Sequence, residues 1–243
     1  MARPHHPRPR LSPSQLATSW QVISLLLDYP TDELVARRPV LEDAAGGLPP
    51  AVREPVCRFV ATLETVAVGD LQREYVETFD VTRRCCLYLT YFAYGDTRKR
   101  GLALVQFKQA YRRAGVQFDA DELPDHLSVV LEFGAGYDPD TAWRLLNDHR
   151  AGIEMLRIAL AERGSAWHDV VVALTATLPE LRGEDQDRVA ALIAKGPPAE
   201  EVGLDLQPYA LDPHARGAPP PESPPKPRGA ESALFPTIPV GAP

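Results

Sequence analysis

The sequence predicts an all-α protein, a single-domain helical bundle followed by a proline-rich tail, on three observations. Apolar residues recur at helical spacing along most of residues 12–195, and strand-like alternation is nearly absent. Residue types that start and stop helices punctuate that pattern. From residue 208 to the end, 11 of 36 residues are proline and the apolar periodicity disappears, so burial there cannot offset the entropy of ordering the chain. The expected division is a flexible N-terminal arm over 1–11, an all-helical domain over 12–195, and a linker with a disordered tail over 196–243.

Ser12-Pro13-Ser14-Gln15 opens the first helix. Ser12 can cap it, Pro13 fits the first helical position because its missing N–H would have no partner there, and Gln15 can reach back to the cap. Leu16, Trp20, Ile23 and Leu27 form the inner stripe. Thr31 caps a short second helix that Pro39 interrupts or ends. Pro49-Pro50 opens a third helix with Val52, Val56, Phe59, Leu63 and Val66 inward, and Gly69-Asp70 marks a corner. Leu71, Tyr75 and Phe79 share one face of the next segment. The run from Val81 to Tyr94 has no clear period and supports no assignment. Asp96 or Thr97 starts a helix to Ala114, with Gly115 as its stop. Pro124 begins a helix that ends at Gly134 and Gly136, and Asp138-Pro139 opens another. Amphipathic stretches at Ala151 to Arg163 and Ala166 to Leu178, and a short one at Glu184 to Ala194, complete the bundle.

Composition excludes several classes. Net charge is −7 and the pI about 5.4, which disfavours general nucleic-acid binding. Inside that acidic chain, residues 83–113 carry eight bases (Arg83, Arg84, Arg98, Lys99, Arg100, Lys108, Arg112, Arg113) against one acid, Asp96. This window reads as a solvated helix face or as a nucleic-acid-binding surface of a helical regulator. Three cysteines, two of them adjacent, make a poor disulfide framework and fit a reducing cytoplasm. The N-terminus lacks the apolar core of a secretion signal, and VISLLL is too short to cross a bilayer. There is no metal-binding C-x-x-C or H-E-x-x-H, no phosphate-binding glycine loop, no dinucleotide fingerprint and no nucleophile elbow. No cofactor or metal of the chain's own is expected. Cys85 and Cys86, beside Arg83 and Arg84, read either as ordinary thiols or as a thiolate favoured by nearby cations.

The stretch ELPDHLSVVLEF (122–133) crowds Glu122, Asp125 and His126 together. Its acids suit the positive end of a helix dipole, with Pro124 in the first turn, and Leu127, Val130, Leu131 and Gly134 form the core stripe. His126 aligns with Val129, Val130 and Phe133, and reads as a packed core residue or as a functional base. An enzyme using Glu122, Asp125 and His126 as acid and base would need a closed pocket around His126.

YVETFD (75–80), GDTRKRG (95–101), AYRRAG (110–115) and ELPDHLSVVLEF (122–133), in that order, resemble the NarJ family of nitrate reductase molybdenum cofactor assembly chaperones, also called the delta subunit. That family belongs with the wider group of redox-enzyme maturation proteins. The resemblance implies a non-catalytic, all-helical cytoplasmic chaperone that binds the N-terminal segment of the catalytic α subunit of respiratory nitrate reductase. It supports molybdenum cofactor insertion before membrane attachment, possible contact with the insertion machinery included, without nucleic acid and without stable membrane association. By the same resemblance Tyr75, Phe79, Asp80, Leu123, Pro124, Asp125 and His126 are the expected peptide-contacting residues. An amphipathic peptide would set apolar anchors against Tyr75, Phe79 and the Leu123-Pro124 corner, with Asp80 and Asp125 meeting its cations and His126 as the pH-sensitive element. Relatives tend to carry Ser and His after the first motif; this chain has CCLYLTYFAYG there, so no role of a histidine transfers to that segment.

Overall fold

Ser12 starts the first helix as its sequence dictates: its hydroxyl accepts from the Gln15 N–H at 3.2 Å while the Gln15 side chain accepts from the Ser12 N–H at 3.1 Å. A computed structural model describes residues 11–95, 97–118, 122–181 and 183–195. All of the expected arm over 1–11 except Leu11, the tail over 196–243 and Asp96 as a helix start lie outside the described residues. No described residue belongs to a strand, and the chain is all-α.

The elements are α1 (Pro13–Leu26), α2 (Asp32–Ala36), α3 (Arg38–Gly46), α4 (Pro50–Thr65) and α5 (Val68–Tyr75), which runs into a π-helical turn at Val76–Asp80 and a 3-10 turn at Arg83–Cys85. There follow α6 (Tyr91–Tyr94), α7 (Arg98–Arg113), α8 (Leu127–Gly136), α9 (Pro139–Asp148), α10 (Arg150–Arg163), α11 (Trp167–Thr177) and α12 (Glu184–Lys195). Pro39 does not end α2 but sits in the first turn of α3, where a missing N–H is tolerated. The corner expected at Gly69-Asp70 falls instead at Val66-Ala67. Gly69 and Asp70 belong instead to the first turn of α5, where the Asp70 carboxylate sits at the positive end of the helix.

At the centre, α1 packs against α8 and α11, and α11 packs against α4. Trp20 is fully buried and donates its Nε1–H to Thr177 Oγ1 at 3.0 Å, which satisfies the indole in an otherwise apolar interior. α8 carries more than the expected stripe. Leu127 to Leu131, Phe133 and Gly134 are all buried, so this helix is covered nearly all round and only Glu132 reaches the surface among them. Its closeness to α1 depends on one glycine. A Cβ on Gly134 would stand 2.5 Å from Ala142 Cβ and 2.6 Å from the Trp20 ring. Gly115 follows α7 at φ 79°, the left-handed stop the sequence suggested.

Candidate functional site

Tyr75 and Phe79 face inward at the junction of α5 and the π turn. Both are buried, with ring centroids 4.7 Å apart, and both pack against Trp167, each at 5.6 Å. The hydroxyl of Tyr75 donates to Leu27 O at 3.0 Å and the indole N–H of Trp167 donates to Leu26 O at 3.0 Å. Two aromatic side chains thus cap the last carbonyls of α1, which no intrahelical donor reaches. Immediately beyond, Asp28, Tyr29 and Pro30 leave the helix, with Tyr29 exposed and its ring 5.5 Å from Tyr75. The π turn closes with Val81 N–H donating to Val76 O at 3.1 Å. An i to i+5 spacing brings Asp80 round toward the side occupied by Tyr75, where a regular α-helix would carry it further away. Asp80 is exposed.

The second half of the site is built on an isolated antiparallel bridge between Tyr88 and His126, in the segment the sequence left unassigned. Leu89 N–H donates to Asp125 O at 3.0 Å and Leu127 N–H to Leu87 O at 2.9 Å. This pairing draws residues 124–126 out of the helix. Pro124 therefore lies in a turn ahead of α8 and not in its first turn, and His126 is the N-cap residue. Asp125 finds its hydrogen-bond partner outside the helix. Its fully buried carboxylate accepts from Thr90 N–H at 3.1 Å and from Thr90 Oγ1–H at 2.5 Å, while its Oδ1 has no hydrogen-bond partner among the described residues. Glu122 is also diverted: it accepts from the Tyr88 hydroxyl at 2.9 Å and from Leu123 N–H at 2.7 Å.

The four motif segments, widely spaced in sequence, converge here. Tyr111, from AYRRAG, donates to Pro124 O at 2.5 Å. Arg100, from GDTRKRG, donates to Thr90 Oγ1 at 3.3 Å and lies 5.1 Å over the Tyr88 ring. From YVETFD, Asp80 bears on His126 through its charge, as do Asp28, Glu122 and Asp125.

His126 is buried, with Nδ1 2.6 Å from Ser128 Oγ and its ring edge-on to Tyr88 at 5.3 Å. Burial holds its pKa below the ordinary histidine value, against the pull of the four carboxylates, so it is neutral near pH 7. Glu132 shows the complementary effect. Half-buried on α8 and repelled by Asp28, its carboxyl is pushed up to about 7, burial being the larger cause. Burial also raises the Cys85 thiol, against the pull of Arg163 and Arg84, and so opposes a reactive thiolate there.

Of the residues singled out in the sequence, Asp80 and Leu123 are exposed, whereas Tyr75, Phe79, Pro124, Asp125 and His126 are buried. Asp125 is bonded to Thr90 below the surface, whereas Asp80 stands on it. Glu122, Asp125 and His126 are each bonded to a separate partner, Tyr88, Thr90 and Ser128 in turn. Sequence reasoning missed Asp28, Tyr29, Glu132 and Thr90. Among the described residues, no group of three His, Cys, Asp or Glu side chains is placed to hold a metal ion. Chemically, the region is an aromatic floor with carboxylates around it, suited to cationic or amphipathic ligands.

Residues 45–173 match the family model described as nitrate reductase delta subunit. The chain is 30% identical over 197 residues to the nitrate reductase molybdenum cofactor assembly chaperone NarJ of Escherichia coli (strain K12), covering 79% of each chain. It is 36% identical over 158 residues, 65% of its length, to the nitrate reductase-like protein NarX of Mycobacterium tuberculosis (strain ATCC 25618 / H37Rv), and spans 24% of that larger protein. By its name the NarJ relative is a nitrate reductase molybdenum cofactor assembly chaperone. With the model matching more than half of the chain and the NarJ relative covered over most of its length, this chain belongs to the nitrate reductase delta subunit family.

Proposed function

We propose that the chain is a cytoplasmic assembly chaperone that binds the N-terminal segment of the catalytic α subunit of a respiratory nitrate reductase and keeps it available for molybdenum cofactor insertion before membrane attachment. The name of the NarJ relative supports the chaperone role. What supports the binding reading is that the charges of Asp28, Asp80, Glu122 and Asp125 all act on His126, while Tyr29 and Leu123, each next in sequence to one of these acids, are exposed. An amphipathic peptide would lay apolar side chains on Tyr29 and Leu123 and turn its cations toward Asp28, Asp80, Glu122 and Glu132. Tyr75, Phe79, Pro124, Asp125 and His126 then act from below the surface, holding that face in shape. Charge arranged in this way contributes selectivity and encounter rate more than raw affinity.

Co-purification tests both levels of the proposal. The tagged full chain is expected to retain the α subunit, and to lose it when the α subunit lacks its N-terminal segment. Retention of the truncated subunit would remove the peptide from the proposal; failure to retain either form would remove the chaperone role.

A further inference from the structure

We propose that the outward face of α7 docks reversibly on an anionic phospholipid surface, a role independent of the acidic face around His126. α7 reads RKRGLALVQFKQAYRR, with six cations and no acid. Its inner side is fully accounted for by Ala103, Phe107 and Tyr111, all buried. On the opposite side, Arg98, Leu102, Val105, Lys108 and Arg112 are exposed, with Leu102 71% and Val105 49% accessible. Two aliphatic side chains therefore project from the middle of a cationic face.

Ion pairing among the described residues also sets this face apart. Arg38, Arg58, Arg84 and Arg157, on other parts of the chain, each bridge to a carboxylate. Among the described residues, no carboxylate forms an ion pair with Arg98, Lys99, Lys108, Arg112 or Arg113. A basic helix face carrying exposed aliphatic groups matches the boundary between lipid headgroups and acyl chains, where the cations meet phosphates and Leu102 and Val105 leave water. A nucleic-acid backbone would satisfy the charges but leave the aliphatic side chains without a partner. No described helix is long and apolar enough to cross a membrane, so the association lies on the surface. The net charge of −7 does not forbid it, because charges more than about 8 Å from the lipid are largely screened at physiological ionic strength.

The test is sedimentation of the full chain with vesicles of phosphatidylglycerol and phosphatidylcholine, compared with phosphatidylcholine alone, and with a double-stranded DNA probe in parallel. The wild type is expected to bind the anionic vesicles only, and to be released by salt. Arg98→Gln with Arg112→Gln is expected to weaken binding about thirtyfold, at roughly fivefold per cation. Leu102→Ser with Val105→Ser is expected to weaken it by about tenfold or more, because the interfacial burial is lost. All four positions are exposed, so the fold tolerates the changes. Absence of binding to anionic vesicles, wild-type binding by the serine variant, or binding of DNA in place of vesicles would each overturn the proposal.

Discussion

Asp125 holds Thr90 twice, accepting from its N–H at 3.1 Å and from its Oγ1–H at 2.5 Å, across 35 positions of sequence. This bond anchors the irregular segment 87–90 against the turn that precedes α8. It also explains why a carboxylate that resembles a ligand-contacting residue is fully buried. Its influence on a partner would pass through the placement of Tyr88 and His126.

Removing that anchor is expected to cost stability before anything else. Asp125→Ala leaves the Thr90 N–H and hydroxyl without their acceptor in a buried site, at a cost of about 2–4 kcal/mol. Asp125→Asn keeps one acceptor oxygen and is expected to lose less. Urea unfolding of the two variants measures the difference; a fully stable Asp125→Ala would mean that the anchor is dispensable.

Gly134→Ala is expected to separate α1 from α8. The new methyl would meet Ala142 Cβ at 2.5 Å and the Trp20 ring at 2.6 Å, and neither neighbour can withdraw because both lie in the packed core. A loss of about 2 kcal/mol or more is expected, read as a lowered thermal midpoint.

Stability should respond to pH through two groups of opposite sign. His126 is buried neutral, so the unfolded chain takes up its proton first and stability falls as the pH drops below about 6.5. Glu132 has a raised pKa in the folded protein. Its contribution is present below the unfolded carboxyl range and is lost as pH rises through about 7. Glu132→Gln is therefore expected to stabilise the protein relative to wild type above pH 7, with little relative gain near pH 5, in urea titrations at the two values. An unchanged difference between the two pH values would show that Glu132 titrates normally.

Binding of a cationic peptide should strengthen with rising pH. A nearby cation favours ionised Glu132 and disfavours protonated His126, so both groups release protons on binding and both push affinity upward from about pH 5.5 to 7.5. Calorimetry across that range is expected to show a slope that Glu132→Gln reduces. A flat profile would exclude both groups from the binding face.

Much of this molecule could be read locally. The capping box at Ser12, the Thr31 cap, the Asp138 cap that accepts from Thr141 N–H at 2.9 Å and the glycine after α7 each depend on residues within a few positions of one another. The buried face of Leu71, Tyr75 and Phe79 followed from periodicity alone. The site was less legible because its defining contacts are long-range. Thr90 gives no local sign that it will hold Asp125, and the Tyr88 to His126 bridge displaced Pro124 from the helix start that its residue type favours. Asp28 and Glu132, 104 positions apart, gain significance only when the end of α1 meets α8. The π turn in VETFD is equally hidden, since no residue of that stretch signals i+5 in place of i+4 bonding.

The central claim is that the carboxylates near the exposed side chains of Tyr29 and Leu123 recognise the N-terminal segment of the α subunit. Isothermal titration of a synthetic peptide of that segment into wild type and into Asp28→Asn, Asp80→Asn, Glu132→Gln combined tests it most directly. The expected result is salt-sensitive binding to wild type and an affinity about tenfold or more lower in the folded triple variant. Equal affinity for the two proteins would contradict it.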